Sequence, residues 1–150
     1  MYFEQQEKGT STCVLHALNN TLGGNRATRE EFENIAVFLA KIEEQHQACI
    51  KRTVSSYYLH RFSKKGLYGG WSIKVVREWL NRHGIGYEWN VEGADLTGEG
   101  RFFVRVRKGH SNHALAIVDG TVLDSLVHIP RPWMKCKNEY TVLNVCRVFC

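Results

Sequence analysis

The sequence predicts an α+β protein in which helices come first and an antiparallel sheet follows. Residues 13–84 contain stretches with apolar side chains at helical spacing, whereas residues 85–149 contain short runs rich in β-branched and aromatic residues. Between two of these runs stands Asp119-Gly120, a strong signal for a two-residue hairpin turn. Helices followed by hairpin-connected strands are the order expected of an α+β fold.

Three helices are predicted in the first part of the chain. The first begins at Cys13, after a loop of small and hydroxyl residues, and ends at Gly23-Gly24. The second opens at Thr28-Arg-Glu-Glu31, which has capping-box spacing. Residues 41–62 are loosely periodic, so we expect further helix there with a break, followed by a basic glycine loop. The third helix is capped by Ser72 and stops at Gly84.

Five strands are predicted in the second part. A turn at Asp119-Gly120 places His113 opposite a position between 126 and 128, within a couple of pairs of Asp124. The Asp124 carboxylate would then reach the His113 ring only if the hairpin is bulged or twisted. The predicted strands are residues 85–89, 101–107, 113–119, 121–124 and 140–149.

Composition indicates one folded domain over residues 1–150. Hydrophobic residues make up 43% of the chain and charged residues 23%, which is enough apolar side chain for a core. The net charge of +5 is compatible with an acidic partner, but the basic residues are dispersed and no recognition module accompanies them. We therefore do not expect a nucleic acid to be the partner.

The chain begins with no charged and apolar export signal, and no run of about 18 apolar residues occurs in it. We expect a cytoplasmic or nuclear protein with no membrane partner. Five cysteines, an odd number without CxxC spacing, argue against a disulfide framework and against a four-cysteine zinc site.

Cys13 combines two features that activate a thiol. It stands at a predicted helix N-terminus, where the helix dipole favours the thiolate, and it follows a small-residue loop that can leave the sulfur exposed. The alternative is that Cys13 is a small apolar side chain in the core. His113, at the start of a strand, is the best placed of the seven histidines to act as its base.

Asp124 closes the paired strand and could orient the His113 ring, although it could equally be a turn-forming residue. Acyl transfer also requires a donor for the oxyanion of the tetrahedral intermediate. A glutamine amide upstream of the nucleophile, Gln5 or Gln6, could supply it together with the backbone N–H of Cys13.

The sequence around these residues resembles the signature of the Josephin domain. Gln6-Glu7, a short loop and then Cys13-Val-Leu-His-Ala-Leu-Asn-Asn-Thr-Leu22 carry the likeness. It continues through Trp71-Ser-Ile-Lys-Val-Val76 and Phe102-Phe-Val104, and Asp124-Ser-Leu126 is similar to the Asn-Ser-Leu of that family. The interval from Gln6 to Cys13 is about two residues longer than in the family, so Gln5 stays an alternative.

The resemblance implies a papain-like cysteine peptidase that hydrolyses ubiquitin peptide or isopeptide bonds after Gly-Gly. It implies Cys13 as nucleophile, His113 as base, Asp124 as orienting residue and Gln6 as oxyanion donor. Gly70 and Trp71 would wall the channel for the glycine tail, and a helical arm would lie at about residues 41–66. The partner would be ubiquitin or polyubiquitin, and the chemistry needs no metal or organic cofactor. His16, one turn after Cys13, is interpreted as a supporting residue.

Two other functions fit the same residues. One is a self-processing papain-like protease of a larger polyprotein, and the other is an inactive ubiquitin-binding module. Because the surface around the ubiquitin tail is basic, the net charge of +5 requires either that acidic residues gather near the cleft or that the substrate is not ubiquitin. The acidic candidates are Glu4, Glu7, Glu30 and Glu31.

Overall fold

The computed structural model of the chain describes residues 1–7, 10–49 and 71–150. Helices precede an antiparallel sheet, as the sequence predicts. The four described α-helices are α1 (Cys13–Leu22), α2 (Arg29–Cys49), α3 (Ile73–Arg82) and the short α4 (Trp133–Cys136). The six described strands are β1 (Gly86–Trp89), β2 (Arg101–Lys108), β3 (Ser111–Val118), β4 (Thr121–Leu123), β5 (Arg131–Pro132) and β6 (Thr141–Phe149).

Local signals set the ends of the helices. Gly23 adopts φ +77° and its amide donates to the Asn19 carbonyl at 2.9 Å, which ends α1. At the start of α2, the Thr28 hydroxyl accepts from the Glu31 amide while the Glu31 carboxylate accepts from the Thr28 amide, a reciprocal capping box. Ser72 caps α3 by accepting from the Lys74 amide.

The second helix runs to Cys49 without the break expected within residues 41–62. The remainder of that stretch, residues 50–70, lies outside the described residues. The predicted helical arm at about 41–66 is therefore seen as helix only as far as residue 49.

The six strands form one sheet in the order β1-β6-β2-β3-β4-β5, and every neighbouring pair is antiparallel. The central strands β2 and β3 are apolar on both faces. Phe103 and Ala114 belong to the core shared with α1, α2 and α3, whereas Val104 and Leu115 belong to a second core with Trp133 and the residues around it. Covered on both faces, these strands are a rigid support for side chains at their ends.

The hairpin between β3 and β4 turns at Asp119-Gly120, and both residues have positive φ, +48° and +78°. This is the two-residue turn that the sequence predicts. Val118 pairs with Thr121 and Ala116 with Leu123, which fixes the position of His113 relative to the end of β4. Within the described ranges, no helix is both long and apolar enough to cross a membrane.

Candidate active site

Cys13 is the first residue of α1 and is partly buried. Its neighbour Thr12, at the N-cap, makes no capping hydrogen bond with its side chain. The amide groups of the first turn are therefore available to stabilise negative charge at the sulfur or beside it. The other described cysteines are also free thiols: Cys136 and Cys146 are buried and Cys150 is exposed.

His113 lies between Cys13 and Asp124. Its Nε2 donates to Asp124 Oδ1 at 2.7 Å, and Cys13 lies close enough to the ring to raise the pKa of His113. Because Asp124 engages Nε2, Nδ1 is the ring nitrogen left for the sulfur. The structure thus brings together the three residues that the sequence singled out as nucleophile, base and orienting acid.

The end of β4 explains how Asp124 reaches the imidazole. The strand stops at Leu123, and a turn begins at Asp124, whose carbonyl accepts from the Val127 amide at 2.9 Å. Asp124 therefore leaves the ladder, and its carboxylate reaches back diagonally towards the start of β3. The Leu126 amide donates to Asp124 Oδ1 at 2.9 Å and fixes that oxygen beside the ring.

The two groups form a buried ion pair. Burial by itself would lower the pKa of His113, but its hydrogen bonds with Asp124 and Cys13 and the charges of both groups outweigh burial and raise this pKa to about 9. Burial would raise the pKa of Asp124, yet His113, Tyr140 and the Leu126 amide together bring it down to about 2. At neutral pH the pair is imidazolium and carboxylate.

Tyr140 is a neighbour of the site that the sequence did not indicate. Its hydroxyl donates to Asp124 Oδ2 at 2.6 Å, so both oxygens of that carboxylate are engaged. Tyr140 stands just before β6, and in the sequence its aromatic side chain indicated only that it belongs to a strand. The sequence carried no signal for this contact.

Gln6 is held by hydrogen bonds beside Ser125, the residue that follows Asp124. Its side-chain carbonyl accepts from the Ser125 hydroxyl at 2.6 Å, its backbone amide donates to the Ser125 carbonyl, and its side-chain amide donates to the Thr10 carbonyl at 2.9 Å. Gln6 thus bridges the residue after Asp124 and the segment before Cys13. Gln5 is exposed, and its amide donates to the Val127 carbonyl at 2.9 Å. Of the two glutamines, Gln6 is the one tied to the segment directly before Cys13.

His16 supports the N-terminal segment. Its Nδ1 lies 2.7 Å from Glu4 Oε1, and Asn19 donates to the same oxygen at 3.0 Å. Asn20 accepts from the Glu4 amide and donates to the Glu4 carbonyl, while Tyr2 donates to Glu4 Oε2. Burial alone would raise the pKa of Glu4, but these hydrogen bonds outweigh it and lower that pKa. Sequence reasoning did not give Glu4 this role.

The predicted channel residues are placed only in part. Gly70 lies outside the described residues. Trp71 is 3% exposed and packs edge-to-face on Phe32 with ring centres 5.2 Å apart, in the same core against which Cys13 packs. Its contribution to a substrate channel stays a prediction.

A thiol, an imidazolium, a buried carboxylate and a nearby amide can together carry out nucleophilic acyl transfer. Across residues 1–7, 10–49 and 71–150, no group of three or more His, Cys, Asp or Glu side chains is arranged to hold a metal ion. No protein-family model matches the chain, and no curated protein matches it.

Proposed function

We propose that this protein is a papain-like cysteine peptidase of the Josephin type, a deubiquitinase that hydrolyses peptide or isopeptide bonds after the Gly-Gly end of ubiquitin. The observation that carries the chemical part is the hydrogen bond of 2.7 Å between His113 Nε2 and the buried Asp124, with Cys13 near enough to the same ring to affect its pKa. The ubiquitin part rests on the resemblance of residues 6–22 to the Josephin signature.

In the first half of the reaction the Cys13 thiolate attacks the glycine carbonyl carbon and a C–S bond forms. The carbonyl oxygen becomes an oxyanion, which the Cys13 backbone N–H and the Gln6 amide stabilise. The tetrahedral intermediate then collapses as the C–N bond breaks. His113 gives its proton to the leaving lysine or α-amine, and a thioester remains on Cys13.

In the second half a water molecule attacks the thioester carbonyl while the now neutral His113 takes its proton. The C–S bond breaks, the glycine carboxylate leaves, and the thiolate and imidazolium are restored. Asp124 keeps the ring in one orientation through both halves and stabilises its charged form.

The positions of the acidic residues determine whether the protein can bind the basic tail of ubiquitin. Glu4 is used within the protein by His16, and Glu31 caps α2. Glu7 is exposed and lines a groove together with Thr10 and Thr12, directly before Cys13. Glu7 is the acidic candidate nearest to Cys13 in sequence, and the exposed Glu30 is a second candidate; Arg29 lines the same groove as Glu7.

A ubiquitin probe with an electrophile at its C-terminus tests the proposal. We expect the wild type to form a covalent adduct, Cys13→Ala to form none, and Cys150→Ala, which removes an exposed cysteine remote in sequence, to react like the wild type. Absence of the adduct while iodoacetamide still alkylates Cys13 would overturn the deubiquitinase and leave the self-processing protease. Ubiquitin binding without reaction at Cys13 would instead indicate the inactive binding module.

A further inference from the structure

We infer that Tyr140 is a positioning residue of this site and that Arg131 acts through it, so that a chain of hydrogen bonds from the edge strand β5 holds Asp124 against His113. The inference deepens the proposed function and rests on it for its part in peptide hydrolysis. Its other part, the orientation of His113 beside Cys13, does not depend on which substrate the protein cleaves.

The chain of contacts is continuous, and it is buried at the end that meets Asp124. Tyr140 donates to Asp124 Oδ2 at 2.6 Å, and Arg131 Nη2 donates to the Tyr140 oxygen at 2.9 Å. Arg131 Nη1 in turn donates to Glu139 Oε2 at 2.6 Å. Asp124 is 1% exposed and Tyr140 is 7% exposed, so water is not a ready substitute for these partners.

The direction of the hydrogen bonds makes the arrangement cooperative. Asp124 carries no proton to donate, so the Tyr140 hydroxyl must donate to it and can accept only from elsewhere. The Arg131 guanidinium is that outside donor, and by polarising the phenol oxygen it makes the O–H a stronger donor to the carboxylate. A carboxylate held at both oxygens cannot rotate away from the His113 ring.

Local packing explains why Tyr140 has one orientation. Trp133 of α4 stacks on the phenol ring, with ring centres 6.2 Å apart and planes 23° from parallel. Arg131 belongs to β5, whose pairing with β4 ties it to the strand that directly precedes Asp124. The segment between β4 and β6 therefore supplies this second support of the acid.

Three charged groups besides Asp124 lie around Tyr140: Arg131, Glu139 and Lys108. The Lys108 Nζ lies 5.5 Å from the centre of the phenol ring and 3.9 Å from Glu139 Oε1. The remaining titratable neighbour is Cys136, where burial raises the pKa of the thiol and keeps it uncharged at neutral pH. Arg131 is the only one of these groups with a described hydrogen bond to the Tyr140 hydroxyl.

Tyr140→Phe in the full chain tests the inference, with Tyr87→Phe as the matched control. Tyr87 is a partly buried tyrosine of β1, at the opposite edge of the sheet, and its hydroxyl has no hydrogen bond in the described part of the chain. The first readout is the rate at which iodoacetamide alkylates Cys13, followed by peptide mass spectrometry across pH.

We expect Tyr140→Phe to lower the alkylation rate at about pH 6 by about tenfold, because the imidazolium that stabilises the thiolate is less well held. Near pH 10, which is above the pKa of about 9 of His113, the imidazolium is lost in both proteins and the two rates should be equal. A general loss of structure would not show this dependence on pH. With the ubiquitin substrate, kcat should fall about tenfold while KM stays unchanged.

Arg131→Gln is the second variant, because it keeps the tyrosine and alters a more exposed side chain. A smaller loss in the same direction supports the chain of contacts. Alkylation rates of both variants equal to those of Tyr87→Phe at every pH would overturn the inference. A wild type that alkylates as expected but never cleaves ubiquitin would overturn the proposed function while the positioning result stands.

Discussion

Replacing Asp124 by asparagine should change how the stability of the protein depends on pH. The pKa of His113 lies at about 9 in the folded protein, against 6.5 for an ordinary histidine. One pKa unit corresponds to about 1.4 kcal/mol, so the attraction of its partners for the imidazolium contributes about 3 kcal/mol to folding. Asparagine keeps the shape of the side chain and one acceptor oxygen but removes the charge.

The sign follows from the direction of the shift. A histidine whose pKa is raised on folding contributes its full stabilisation below pH 6.5, and this contribution is lost as the pH rises through about 9. The pKa of Asp124 is held at about 2, so its own contribution is present above its ordinary value of 3.8 and is lost only as the pH falls through about 2. Between pH 6.5 and 9 the histidine therefore dominates.

Urea unfolding of the wild type and of Asp124→Asn at several pH values checks this. From about pH 6 to about pH 9.5 the wild type should lose about 3 kcal/mol more unfolding free energy than the variant, because burial then keeps the variant's histidine neutral throughout. Comparing the two proteins cancels the titration of other groups. Equal slopes over this range would refute the ion pair. Asparagine stands at this position in the Josephin signature, so turnover should fall only in part.

Three further changes test the supports of the site. Gln6→Ala should lower kcat about 10²-fold to 10³-fold, whereas Gln5→Ala should leave it within about threefold; equal effects would contradict the choice of donor. Glu4→Ala should cost about 3 kcal/mol in urea unfolding and lower kcat like Gln6→Ala, since it releases the segment that carries Gln6. Gly120→Ala should destabilise the protein by more than about 2 kcal/mol in the same assay, because the added Cβ would lie 2.5 Å from the Thr97 carbonyl oxygen. The control is Gly93→Ala, at φ +65° with no atom within 4 Å of the added Cβ, which should destabilise the protein by about 1 kcal/mol.

Elements with a strong local signal were predictable from the sequence. The capping box at Thr28, the cap at Ser72 and the turn at Asp119-Gly120 are each decided by a few adjacent residues, and all three are confirmed. The short strand β5 was missed because Arg131-Pro132 has no strand pattern. It forms because β4 offers a free edge and because the Trp133 amide donates to the Gly120 carbonyl at 2.8 Å.

The residues of the candidate site also fall into two groups, those with a local sequence signal and those without one. Cys13 begins α1, as expected, and His113 lies in β3, which starts two residues earlier than expected, so both could be singled out from their positions in predicted elements. Tyr140 contacts Asp124, and Arg131 contacts Tyr140, through the pairing of β5 and the packing of α4, neither of which had a sequence signal. Contacts that depend on such tertiary pairing are not encoded within any one short window.

The extra length between Gln6 and Cys13 is explained by the path of the chain. The Thr10 amide donates to the Glu7 carbonyl at 3.2 Å, so residues 7 and 10 are drawn together. Thr10 also receives the hydrogen bond from the Gln6 side chain. The residues between Glu7 and Thr10 therefore lengthen the chain without separating Gln6 from the segment before Cys13. Glu4, which side chains of α1 hold, and Ser125, which follows Asp124, restrain Gln6 from two other directions.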